Sequence, residues 1–88
     1  MVIVSATSIE RYIWALQRHM TSRWGLDAAT RELSPLLYYI NSGRASVSFL
    51  KKLLNAKPYM VARKLHMGGS DKEVMERVKS YIGFTPTF

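Results

Sequence analysis

Three side chains able to contact anions or base edges follow one another at helical spacing in the second half of the chain. They are Tyr59, Arg63 and His66, and steps of four and three residues place them on one face of an α-helix. The arginine offers several fixed N–H donors, the tyrosine a hydroxyl, and the histidine its ring nitrogens. Because such groups read base edges in a DNA groove, we predict base contacts for all three.

Positive charge surrounds these residues and is concentrated in one part of the chain. Residues 34–69 contain six Lys and Arg and no Asp or Glu, although the whole chain has a formal charge of only +7. A solvated surface normally mixes both signs, so this segment indicates a polyanionic partner, nucleic acid first. The phosphate contacts that we predict are Arg44, Ser46, Ser48, Lys51, Lys52, Lys57 and Lys64.

The same sequence gives little support to catalytic or metal chemistry. It has no cysteine, which excludes disulfides, thiolate metal sites and a cysteine nucleophile, and favours a reducing compartment such as a bacterial or host cytoplasm. His19 and His66 stand alone in the sequence, and no glycine-rich phosphate loop is present. We therefore expect a protein that is not an enzyme, with no catalytic residue, metal, cofactor or small-molecule substrate.

The elements that position these residues are all predicted to be helices of one domain, residues 1–88. Thr7 and Glu10 have capping-box spacing, and an apolar stripe at helical period follows them. Ser34-Pro35 combines a capping side chain with proline at the first helical position, a stronger start than Asp27. We predict an all-α fold of four or five helices, at residues 8–23, 35–42, 46–55, 58–67 and 71–82, with a short tail at 84–88.

The three central helices are joined by loops of about three residues, which is typical of a helix-turn-helix unit whose third helix enters the major groove. In that third helix, Val61 and Leu65 lie opposite Arg63. We therefore expect the valine and leucine to pack inward and the arginine to face solvent.

A family resemblance covers residues 43–65, about a quarter of the chain. The matching residues are Gly43-Arg44-Ala45-Ser46-Val47-Ser48-Phe49-Leu50, then Leu54, then Ala62-Arg63-Lys64-Leu65. They resemble the core of the gamma-type winged-helix domain of bacterial DNA translocases. The resemblance implies sequence-directed binding of double-stranded DNA, with helix 58–66 in the major groove, Arg63 reading a base or phosphate, and Ser46 and Ser48 near the backbone.

The chain departs from that family in two places. The family has glycine and tyrosine in the turn where this chain has Lys57-Pro58-Tyr59, and it has a β-hairpin wing where Gly68-Gly69-Ser70 leads into another helix. No motor accompanies the domain. We therefore expect a small transcriptional regulator or a phage or plasmid accessory protein and not a DNA translocase.

The sequence also fits two kinds of partner besides DNA. Large aromatics anchor interfaces, so Tyr12, Trp14 and Trp24 predict a homodimer through helix 8–23. The alternative function is a protein-interaction module whose basic face binds an acidic host protein, for example as an inhibitor of a polymerase or nuclease. RNA binding and membrane-surface binding rank lower.

A membrane location is not expected. The chain lacks a run of about 18 apolar residues. Met1–Val4 does not have the basic and apolar regions of a signal peptide.

Overall fold

The computed structural model describes residues 6–83, which form five α-helices joined by short turns. Within this range there is no β-strand, so the predicted all-α class is confirmed. The predicted tail at 84–88 lies outside the described residues. The helices are α1 Ala6–Trp24, α2 Leu26–Asn41, α3 Val47–Asn55, α4 Pro58–His66 and α5 Asp71–Ile82.

The second helix differs from the prediction. It begins at Leu26 and continues through Pro35, so the expected start at Ser34-Pro35 is wrong. An internal proline removes one backbone donor and costs about 3 kcal/mol. Here the helix still buries Ala29 and Leu33 before the proline and Leu36 after it, and this shared buried face offsets the cost.

The first helix also begins earlier than expected. Since α1 includes Ala6, Thr7 lies inside the helix, and the predicted Thr7 cap is wrong. The C-terminal end agrees with the sequence, because Gly25 adopts a φ of 91° and separates α1 from α2. Its amide donates to the carbonyl of Thr21 at 2.9 Å.

The last three helices begin and end within a residue of their predicted bounds, because local capping signals set them. Ser46 Oγ accepts a hydrogen bond from the Phe49 amide at 3.1 Å, and Pro58 is the first residue of α4. Ser70 and Glu73 form both bonds of a capping box, each 3.2 Å long. The Ser70 amide, with a smaller effect of the Ser70 hydroxyl, holds the pKa of the Glu73 carboxyl below its usual value.

Helices α1 and α5 each pack against the other three helices. Helix α1 packs on α2, α3 and α4, and α5 packs on the same three, whereas α3 and α4 make no close backbone contact with each other in residues 6–83. A turn of two residues joins α3 to α4, and the packing of both helices on α1 and α5 holds them in place. The largest fully buried side chains are Phe49, Leu16, Met20, Leu36, Leu53, Leu65, Val61 and Val78.

None of the described helices combines the length and apolar character needed to span a bilayer.

Candidate nucleic-acid interface

Helix α4 has one buried and one exposed side, as its sequence predicts. Val61 and Leu65 are at most 1% exposed and pack in the core. On the opposite side Tyr59 is 47% exposed, and Arg63 is exposed as well. The helix is therefore anchored by its apolar stripe and presents the tyrosine and arginine to solvent.

A cleft between α1 and α4 brings these two residues together with two residues of the first helix. It is lined by His19, Arg23, Tyr59 and Arg63, and we call it the α1–α4 cleft. The ring centroids of His19 and Tyr59 lie 6.5 Å apart. No carboxylate lines the cleft, and within residues 6–83 neither arginine has an ion-pair partner. Two guanidinium groups without acidic neighbours favour an anionic ligand.

The third predicted base contact, His66, lies at the edge of this surface and has partners of its own. Its ring stacks on Trp24 with centroids 3.8 Å apart and planes 6° from parallel. Its Nδ1 lies 2.8 Å from Glu32 Oε1, which brings one carboxylate to this edge. Because Nδ1 faces Glu32, a hydrogen bond from His66 to a base edge would have to use Nε2.

The C-terminal end of α4 is fixed by an arginine of α5. Arg77 Nη1 donates to the carbonyl of Lys64 at 3.0 Å and to that of Gly68 at 2.9 Å. The last carbonyls of a helix lack intrahelical donors and carry partial negative charge, so a guanidinium there stabilises the helix end. Arg77 thus positions α4 without facing the α1–α4 cleft.

The N-terminal approach to α4 is fixed by Tyr12 of α1. Its hydroxyl donates to the carbonyl of Ala56 at 2.9 Å, in the turn between α3 and α4. Tyr12 is only 8% exposed, and burial raises its pKa well above the usual value. The prediction that Tyr12 lies in a dimer contact is therefore wrong, because the side chain is part of the core.

The predicted phosphate contacts occupy more than one part of the surface. Lys52 lines a cleft with Tyr81, and Lys64 Nζ lies 5.6 Å from the centroid of the same ring, so Tyr81 brings these two cations together. Arg44 instead lies beside Tyr38, in a cleft between α2 and α5. Exposed positions are occupied by Arg44, Ser46, Ser48, Lys51, Lys52 and Lys57, and Lys64 is half-buried.

Two residues of the cleft, His19 and Arg23, were not predicted to contact a ligand. They are four residues apart on α1, and residues 11–26 contain no Asp or Glu. That acid-free stretch is a sequence signal for a basic surface on α1. It does not show that this surface lies beside α4, because the approach of the two helices depends on tertiary packing. Within the described residues, no group of three His, Cys, Asp or Glu could hold a metal ion.

No family model matches the chain, and no curated protein or solved structure shows a significant match to it.

Proposed function

We propose that this protein binds double-stranded DNA in a sequence-directed manner, with α4 in the major groove. The observation that carries the proposal is the α1–α4 cleft, where Arg23 and Arg63 line one acid-free surface. A phosphodiester backbone is the polyanion that such a surface fits, and the concentration of cations in residues 34–69 supports the same partner.

The outward side of α4 would supply the base contacts. An α-helix is about 10–12 Å across with its side chains, so α4, whose nine residues span about 14 Å, can lie lengthwise in a major groove about 12 Å wide. Arg63 would donate two hydrogen bonds to a guanine edge, the most frequent specific contact of this side chain. Tyr59, one turn earlier, would donate its hydroxyl to a neighbouring base or phosphate.

The flanking cations would hold the backbone on either side of the groove. Arg23 and His19 lie on the α1 side of α4 and would contact one strand. Lys57 immediately precedes α4, where the positive end of the helix dipole adds to its charge. Lys52 and Lys64, which lie beside Tyr81, would contact the backbone on the α5 side of α4. These contacts would fix orientation and contribute affinity for every sequence.

Both ends of α4 are held before DNA binds. Tyr12 fixes the turn before the helix, and Arg77 fixes the carbonyls at its end. A pre-ordered helix loses less conformational entropy on binding, so more of the contact free energy becomes affinity. A small protein of this kind would act by occupying its site, as a transcriptional regulator or as a phage or plasmid accessory protein.

The test is a fluorescence-anisotropy titration of a labelled random-sequence duplex with the full chain. At about 50 mM salt we expect a Kd in the micromolar range, typical of non-specific binding. Arg63→Ala and Arg23→Ala should each raise the Kd about three- to tenfold through the loss of one phosphate or base contact. Arg11→Ala is the matched control, because it removes the same charge from an exposed site of α1 outside the cleft.

Two results would contradict the proposal. If all three variants weakened binding equally, net charge alone would explain the affinity. If no duplex bound at this salt concentration, the basic surface would be assigned to an acidic protein partner instead.

A further inference from the structure

A second surface of α1 differs in chemistry from the α1–α4 cleft. Trp14 is 60% exposed and lies between two open clefts that α1 forms with α2. Ile13 and Leu37 are among the apolar residues of one cleft, and Leu26, itself 59% exposed, lies in the other. A large exposed aromatic side chain between apolar clefts is typical of the centre of a protein–protein interface.

This surface is electrically neutral in a strongly basic chain. The residues that line its two clefts include one acid, Glu10, and one base, Arg18. The chain as a whole carries +7, so two copies repel each other where their basic surfaces meet. The Trp14 surface is a place where a second copy meets no net charge, and it offers no excess of cations to DNA.

The two charges are placed symmetrically about the tryptophan. Glu10 precedes Trp14 by four residues and Arg18 follows it by four, so each lies about 6 Å along the helix from it. The Arg18 guanidinium carbon lies 4.8 Å from the centroid of the Trp14 ring. If two α1 helices crossed antiparallel at Trp14, Glu10 of each copy would face Arg18 of the other. The pattern is therefore self-complementary about a two-fold axis.

We propose that two copies of this chain form a two-fold symmetric dimer through antiparallel α1 helices centred on Trp14. Each tryptophan packs into the apolar cleft of the other copy, and two Glu10–Arg18 ion pairs set the register. The α1–α4 cleft remains open, because His19 and Arg23 face α4 whereas the Trp14 clefts face α2. Trp24, which stacks on His66, is not part of this contact.

Sedimentation equilibrium of the full chain in the absence of DNA tests the dimer independently of the proposed function. We expect the mass to rise with concentration from 10.1 kDa to twice that value, with a micromolar Kd. Trp14→Ala should raise the dimer Kd at least about 30-fold, as loss of a central aromatic does. Circular dichroism should show unchanged helicity, since the side chain is exposed. A mass of 10.1 kDa at all concentrations, or a dimer that is unaffected by Trp14→Ala, would overturn the proposal.

A charge swap tests the antiparallel register. Arg18→Glu turns two attractions into repulsions and should raise the dimer Kd about tenfold. The double variant Glu10→Arg/Arg18→Glu restores both pairs and should return the Kd to within about threefold of the original. Arg11→Glu is the control for net charge and should leave the Kd within about twofold. If the double variant stayed as weak as Arg18→Glu, the proposed register would be wrong.

Discussion

The hydroxyl of Tyr12 donates a hydrogen bond to the carbonyl of Ala56, at 2.9 Å and 44 residues away in the chain. It joins the first helix to the turn from which α4 begins. Tyr12→Phe keeps the ring in the core but leaves that carbonyl without its donor. We expect a loss of about 1 kcal/mol in the free energy of unfolding, measured by urea denaturation. An unchanged free energy would show that water replaces the hydroxyl there.

The same residue predicts a loss of stability at alkaline pH. Burial, with a smaller effect of Tyr81, raises the pKa of Tyr12 above its usual 10.0. Stability from this residue is therefore fully present below pH 10.0 and decreases as the pH rises above it. Parallel denaturations between about pH 8 and pH 11 should show a steeper decrease for the original chain than for Tyr12→Phe. Identical pH profiles would contradict this account.

Arg77 holds the end of α4 from the neighbouring helix. Arg77→Ala removes a charged donor from the carbonyls of Lys64 and Gly68 and should cost about 1.5–3 kcal/mol of unfolding free energy. Lys72→Ala, at an exposed site of α5, is the control and should change stability by less than about 0.5 kcal/mol. Thermal and urea unfolding measure both. Equal effects of the two variants would show that the guanidinium does not stabilise the end of α4.

The serines at residues 46 and 48 should differ in what they contribute. Ser46 caps α3, so Ser46→Ala should destabilise the protein by about 0.5–2 kcal/mol. Ser48 lies exposed inside α3, and we expect Ser48→Ala to leave stability within about 0.5 kcal/mol while weakening DNA binding slightly. Equal stabilities of the two variants would contradict the capping role.

Local signals predicted the bounds of α3, α4 and α5. The cap at Ser46, the proline at position 58 and the Ser70–Glu73 box each act within three residues of a helix start. The position of Pro35 inside α2 could not be predicted from local signals, because it depends on which face of the helix other helices bury.

The candidate site was predicted in part. The spacing of the apolar residues in α4 predicts which side of the helix faces solvent. The exposed positions of Tyr59 and Arg63 agree with that prediction. The contribution of Arg23 could not be predicted, because it depends on how α1 packs against a helix far along the chain. The same holds for Tyr12, whose hydrogen-bond partner lies 44 residues away.

Arg63 and the lysines of α3 should affect sequence discrimination differently. After selection of a preferred duplex from a random pool, Arg63→Ala should cost about 1–3 kcal/mol of discrimination against a single base-pair change. Lys51→Ala and Lys52→Ala should weaken all duplexes alike, because phosphate contacts carry no base information. Competition titrations with matched and altered duplexes separate the two. A uniform loss for Arg63→Ala would assign Arg63 to phosphate.

The salt dependence of duplex binding is the sharpest measure of whether this surface contacts phosphates. If four to six cations of this surface contact phosphates, a plot of log K against log salt should have a slope between about −3.6 and −5.4. Arg23→Ala, which removes a proposed phosphate contact, should make that slope shallower by up to about 1, whereas Arg11→Ala should leave it unchanged. An affinity that did not change with salt, in the original chain and in both variants, would contradict DNA binding by this surface.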